Sequence, residues 1–317
     1  PPLTGTPVER VASTLAIMGT GIDPLELRRF IVGTERSVSP KAVAALYGRA
    51  EMLARMPRRV QEWVVSHART EGHMGFVVEP YCFFLSYEIT DSDAAARLLP
   101  PHYRLVPTAM FADETPRLCA IVGAFTVHTS VFWGTRVELY VIAEDTRSGM
   151  LTWVICDYES NTINYGPGEG FARSTTERAV VTTVHTGDVV IDVRSAERPN
   201  HLEVTAALPA AKTTPLEQRL WIEGNLSVDY GGRLRRESSE PFGLVFDPDE
   251  MRQALRLPLD AVTVTSDTFG ASFRAAEPFE AACFPYAQHF LTSSFSRPQA
   301  IRSRDELEDA VRGYDVE

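Results

Sequence analysis

Two hydrophobic rhythms divide the chain. Up to residue 72, apolar positions recur every three or four residues, the spacing of one face of a helix. Asp23-Pro24-Leu25-Glu26 is a capping-box pattern with proline at the first helical position, and Leu25, Leu27, Phe30 and Ile31 follow at helical spacing. Ser39-Pro40 predicts the start of a second helix through Val43, Ala44, Leu46, Leu53 and Met56, interrupted at Pro57. Val60, Trp63, Val64 and His67 predict a third.

From Phe76 the period changes to short β-branched and aromatic runs separated by turn signals. Strands are predicted over 76–90, 103–110, 117–130, 135–144, 150–158, 179–186, 188–195, 201–208, 219–230, 242–246, 261–266 and 272–276. Helices are predicted over 91–99, capped by Asp91 or Ser92 and stopped by Pro100-Pro101, and over 247–255 and 303–311. The expected class is α+β, mainly antiparallel β. Its expected layout is a helical arm over 1–74, a β domain with a central pocket over 75–300, and a C-terminal helix over 301–317.

Composition narrows the function classes. A net charge of −11 repels phosphate backbones, and the one basic run, Arg233-Leu234-Arg235-Arg236, follows the turn signal Tyr230-Gly231-Gly232 and reads as a solvated turn. Nucleic acid is therefore not an expected partner. No run of 18 apolar residues occurs, so no membrane span is expected either. Cys82, Cys119, Cys156 and Cys283 stand singly among hydrophobic neighbours, which predicts buried thiols in a reducing cytoplasm rather than a zinc or disulfide framework. The lysines are Lys41, in a helix-like stretch, and Lys212, in a polar stretch read as a loop, so no strand is expected to carry an ammonium.

The densest polar stretch runs from Asp157 to Arg173 and joins an apolar strand to the next one. Asp157, Asn161, Asn164, Tyr165, Glu169 and Arg173 are candidates to face a ligand from it, against the alternative of an ordinary solvated connection. Gly166-Pro167-Gly168-Glu169-Gly170 lacks the lysine of a phosphate loop and reads as a lid or turn. His128, Glu138 and His185 sit on three predicted strands and could converge as an acid–base set or hold a divalent metal, or be ordinary paired or exposed residues; no metal or cofactor is assigned. His289 reads as packing, and Cys156 lacks a histidine partner in sequence.

The order of three segments resembles the acetoacetate decarboxylase superfamily. Phe83-Phe84-Leu85-Ser86-Tyr87-Glu88-Ile89-Thr90-Asp91, then Ala94 to Pro100, then Tyr103-Arg104-Leu105-Val106 is similar to that family's strand, short helix ending at leucine-proline, and next strand. Arg136-Val137-Glu138-Leu139-Tyr140-Val141 resembles its strand with an inward carboxylate, and the segment from Trp153 to Asn161 resembles the strand before its active-site loop. The resemblance covers roughly residues 80 to 210 and implies a closed or cone-shaped β-barrel around a pocket. Where the family has glycine-phenylalanine-proline-lysine-lysine, this chain has Gly170-Phe171-Ala172-Arg173-Ser174, so the Schiff-base nucleophile is absent.

An arginine does not replace it, because a guanidinium stays protonated and does not condense with a ketone. The resemblance thus implies a lysine-independent enzyme acting on a small or medium carbonyl compound, with enolisation-type isomerisation, cyclisation, dehydration or decarboxylation as its reaction. Glu138 or His128 would move a proton and Arg173 or Arg136 would hold a carboxylate or enolate, with Tyr140 and Trp153 lining the pocket. The alternative is a non-catalytic binding protein using the same pocket, and either reading is compatible with a homo-oligomer. Borohydride reduction in the presence of a ketone is expected to leave the intact-protein mass without a ketone-dependent adduct; a stoichiometric adduct would sink the lysine-independent reading.

Overall fold

The computed structural model describes residues 52–67, 75–128, 133–161, 164–166, 170–172, 174–235 and 243–292. The expected helices over 23–31 and 303–311 lie outside these residues, as does most of the arm. Of the arm, α1 (Arg58–His67) is present, with Trp63 61% exposed and Gln61 turned back onto the carbonyl oxygens of Ala54 and Met56.

A branched sheet of twelve strands dominates. At its centre, β4 (Cys119–His128) pairs with β2 (Cys82–Glu88), with β5 (Trp133–Asp145) and, near its end, with β1 (Gly75–Val78). One branch runs from β2 through β17 (Glu280–Phe284) and β15 (Gln253–Arg256) to β12 (Lys212–Pro215). Another runs from β1 through β18 (Gln288–Thr292) to β14 (Leu244–Phe246). β5 also pairs with β3 (Tyr103–Leu105) and β6 (Leu151–Ser160), and β6 carries β13 (Val228–Tyr230) in parallel. Among the described residues no pairing joins the ends β12 and β14, so the expected closed barrel is not seen among them.

Both faces of the central strands are buried, which is why they read as continuous apolar runs rather than alternating ones. One face carries Phe84, Ile121, Tyr140, Trp153 and Phe284, packed with Trp221. The other carries Phe83, Val122, Val137, Leu139 and Val154, and meets a second sheet in the order β16 (Val262–Asp267), β11 (His201–Ala207), β10 (Asp188–Ser195), β9 (Thr176–Thr183). That second sheet is one-sided: Val189, Ile191 and Val193 are buried while their neighbours are partly or fully exposed, giving the visible period of two. A short hairpin of β7 (Asn164–Gly166) and β8 (Gly170–Ala172) follows β6. Among the described residues no helix is long and apolar enough to cross a membrane.

Several expectations are corrected. Residues 219–230 form not one strand but a wide helical turn, Arg219–Glu223, a 3-10 turn, Gly224–Leu226, and then β13. Leu220, Trp221, Ile222 and Glu223 are all buried, so this run has no period by which a turn could be told from a strand. The expected helix over 247–255 stops at Met251, after Asp247 caps the amide of Asp249, and continues as β15. Residues 272–276 contribute a single bridge, Arg274 to Ile89, and β17 and β18 lie beyond them. Lys212 does sit on a strand, but on the edge strand β12, where its side chain is exposed. The helix after Asp91 forms as expected in α2 (Ser92–Ala96), with the Asp91 carboxylate accepting from the Ala94 amide at 2.9 Å.

The loop ahead of β4 is fastened by Glu280, which is 2% exposed. Its carboxylate accepts from the Met110 amide at 2.8 and 3.0 Å and from the Phe111 amide at 3.0 Å. Burial pushes this carboxyl up to about 7, the two amides opposing it. A folded-state value above the ordinary 4.5 means that the folded protein holds a proton there that the unfolded chain has lost, so stability from this group is full at low pH and falls as pH rises from about 4.5 through about 7. In urea titrations, wild type is expected to lose on the order of 3 kcal/mol relative to Glu280→Gln across that window. A difference between the two proteins that does not change with pH would refute this.

Candidate functional site

Alternation along β5 sends Arg136, Glu138, Tyr140 and Ile142 to one face and Val137, Leu139, Val141 and Ala143 to the other. Glu138 is 6% exposed, so its charge needs partners from the protein itself. Two flanking residues of its own strand supply them. Arg136 donates to Oε1 from Nε at 2.8 Å, with a terminal nitrogen 2.6 Å from the same oxygen, and the Tyr140 hydroxyl donates to Oε2. Burial, then the neighbouring Glu138 charge, pushes the Tyr140 phenol well above its ordinary range and keeps it protonated as a donor. Burial works against the charge on Arg136, but Glu138, Tyr158 and Tyr230 together outweigh it and hold the guanidinium more firmly protonated than usual.

The neighbouring strands complete this face. Gly123 is the partner of Glu138 on β4 and Tyr158 its partner on β6, while Phe125 is the partner of Arg136. The Arg136 guanidinium lies 4.4 Å from the centre of the Tyr158 ring. Tyr230, at the end of β13, pairs with Ile155; burial raises its phenol, with Arg136 pulling the other way. Trp153 packs edge-on against Tyr140 at 4.9 Å and gives its indole N–H to the Leu220 carbonyl at 2.9 Å, so it braces the site as a core residue.

A bulge in β6 decides what is excluded. The register shifts between Leu139, which faces Asp157, and Tyr140, which faces Ile155, leaving Cys156 extra. Trp153 and Ile155 therefore share the Glu138 face with Tyr158, whereas Asp157 and Glu159 fall on the opposite one. There Asp157 accepts from Arg198 at 2.8 Å, Asn200 at 3.0 Å and Arg233 at 2.7 Å. Burial opposes its charge, but these donors outweigh it and hold the carboxyl below its usual range. The basic run is thus not simply solvated, since Arg233 is committed to Asp157.

Other expected residues do not join Glu138. His128 ends β4, where its backbone pairs with Val77 and Trp133, about 16 Å along the strand from Gly123. His185 lies on the exposed turn between β9 and β10, so the conceivable pair of histidines with Glu138 is not assembled. Asn161 accepts from the Thr135 amide at 2.7 Å and clamps the start of β5. Asn164 and Tyr165 sit on the β7–β8 hairpin opposite Ala172 and Phe171. Glu169 and Arg173 lie outside the described residues. All four cysteines are buried, and burial pushes the Cys156 thiol up to about 12, which makes it a poor nucleophile. His289, read as packing, pairs through Nδ1 with Glu250 at 2.7 Å.

No family model matches the chain, and no curated protein matches it in sequence. Among solved structures the chain is similar to acetoacetate decarboxylase from Legionella pneumophila, at 10% identity over 78% of this chain and 97% of that one, with a TM-score of 0.45. It is also similar to a second acetoacetate decarboxylase structure, at 7% identity over 72% of this chain and 89% of the other, with a TM-score of 0.40.

Gly123 is where this face leaves no room. A Cβ there would stand 2.7 Å from Phe84 Cε1 and 3.3 Å from the Tyr140 ring. Phe84 is itself wedged against Trp153, Trp221 and Phe284, at centroid distances of 6.2, 5.1 and 5.9 Å, so it has nowhere to retreat. Gly123→Ala is expected to cost about 1–3 kcal/mol in chemical denaturation; an unchanged midpoint would show that the aromatic cluster is loose.

Proposed function

We propose that the chain is a lysine-independent enzyme that acts on a small or medium anionic carbonyl compound at the Arg136–Glu138–Tyr140 site. The observation that carries this reading is the buried carboxylate held between a guanidinium and a phenol, with the Arg136 side chain as a whole 16% exposed. Among the described residues, Arg136 spends Nε and one terminal nitrogen on Glu138 and makes no hydrogen bond from the other. That nitrogen is available to a carboxylate or an enolate oxygen, and a positioned charge in a water-poor site stabilises such an oxygen far better than water does. Glu138 is the proton acceptor. An anion that draws Arg136 toward itself weakens the ion pair and frees a carboxylate oxygen to receive the substrate's proton. Tyr140 holds the second carboxylate oxygen in place. Enolisation followed by isomerisation, cyclisation, dehydration or decarboxylation fits these roles.

A second reading, a binding protein without turnover, is favoured by one feature: both Glu138 oxygens already accept hydrogen bonds within the protein. Kinetics separate the two. For an enzyme, Glu138→Gln is expected to lower kcat by about 10² to 10⁴ with the ligand still bound, and Arg136→Gln to weaken binding by roughly tenfold to a hundredfold. Turnover unchanged in Glu138→Gln would remove that residue from the chemistry and leave the binding reading.

A further inference from the structure

The turn that follows β13 is seated on the bulge of β6. The Gly231 amide donates to the Ile155 carbonyl at 2.8 Å, and the Gly232 amide to the Leu98 carbonyl at 2.7 Å. Gly232 has a φ of +53°, and a Cβ there would stand 2.8 Å from the carbonyl oxygen of Cys156, the extra residue of the bulge. A Cβ on Gly231 would stand 2.7 Å from Val154 Cγ1 and 3.2 Å from Cys156 Sγ. Backbone packed this closely against β6 leaves the turn no slack, and the residue it delivers next is Arg233.

Arg233 uses that fixed position twice. Its Nε donates to Asp157 Oδ1 at 2.7 Å and a terminal nitrogen donates to the Tyr158 carbonyl at 3.1 Å, so one planar fork spans the two residues that follow the bulge. Its guanidinium also lies 5.8 Å from the centre of the Tyr158 ring, which the Arg136 guanidinium approaches to 4.4 Å. Two cations beside one ring repel each other unless each carries its own counter-charge. Glu138 supplies it for Arg136, and Asp157 for Arg233. Tyr158 is thus shared by two ion pairs, and Arg233 engages both its backbone and its ring. The Arg233 side chain is 47% exposed, so its removal takes away these contacts without opening the core.

We infer that Arg233 is a positioning residue: by holding Tyr158 it fixes where the Arg136 guanidinium lies, and so how well that guanidinium receives an anion. The consequence for the anion rests on the reading of Arg136 as the anion anchor; the positioning does not. Nitrogen-15 correlation spectra of the arginine Nε–H groups test it. The Arg136 Nε–H is identified by the cross-peak lost in Arg136→Gln, and Tyr158→Leu shows where that peak falls without the ring. Arg233→Gln is expected to move the peak toward its Tyr158→Leu position. Arg233→Lys is expected to leave it between wild type and Arg233→Gln, because an ammonium keeps the charge beside Asp157 but lacks the planar fork. The Arg274 Nε–H, bonded to the Phe269 carbonyl, reports an intact fold and is expected to stay in place. Acetoacetate, as the probe anion, is expected to bind Arg233→Gln on the order of threefold to tenfold more weakly than wild type. An Arg136 peak unmoved in Arg233→Gln would overturn the positioning role. A peak that moves while acetoacetate binds wild type and Arg136→Gln alike, or neither, would overturn the anchor and leave the positioning intact. Should Arg233→Gln lose the Arg274 peak through misfolding, Arg233→Lys decides, and an Arg136 peak at its wild-type position there would overturn the role.

Discussion

The extra residue in β6 is the constraint on which the site depends. Before it, odd positions such as Trp153 and Ile155 face the aromatic cluster; after it, even positions such as Tyr158 do. Had the alternation run on unbroken, Asp157 and Glu159 would face the same side as Glu138. Three carboxylates would then share one buried face, and like charges in such a place drive one another to bind protons. The bulge sends two of them to the opposite side, where Arg198, Asn200 and Arg233 receive them. It thereby leaves Glu138 with a local partner set and delivers Tyr158 to Arg136.

The same demand for compensation recurs wherever charge enters this doubly covered sheet. Arg274 and Asp267, each with a 2% exposed side chain, form a 2.9 Å ion pair, and Arg274 also lies 3.6 Å from the centre of the Tyr87 ring while donating to the Phe269 carbonyl. Since Asp267 ends β16 and Tyr87 belongs to β2, that pair ties the second sheet to the first. Tyr103 does the same work toward β13, donating to buried Asp229 at 2.8 Å. Such pairs add little net stability against an apolar core, but removing one partner strands the other. They fix which strand lies where more than how tightly it is held.

What could be read from the sequence follows from this geometry. The strand rhythm was legible because turns carry Gly, Pro and Asp, and β10 and β11 of the second sheet were legible almost to the residue because one face is wet, whereas β9 ends three residues earlier than expected and leaves His185 on the turn. Register was not. Period two correctly groups Arg136, Glu138 and Tyr140, but which face of β4 meets them depends on pairing, and the pairing sets Gly123 and Phe125 there. The lone glycine in an apolar strand was the usable signal, since it marks a close approach by neighbouring rings. Cys156-Asp157-Tyr158 contains no glycine or proline to announce a bulge, so the placement of Asp157 could not be foreseen. Lys212 shows the same limit from another side, because an edge strand that carries lysine and proline is well suited to solvent yet reads as a loop.

In the proposed function, which uses no lysine, the site works by charge and proton transfer, and the two are coupled through one side chain. Arg136 cannot release its proton, so its charge is a fixed quantity shared between Glu138 and whatever anion arrives. Every increment of attraction it gives to the anion is withdrawn from the carboxylate, and the carboxylate has little water to replace it. Tyr140 cannot make up the difference, because its single hydroxyl hydrogen is already given to Oε2. In the proposed function, the ion pair with Glu138 and the hold on the anion therefore draw on one guanidinium, that of Arg136.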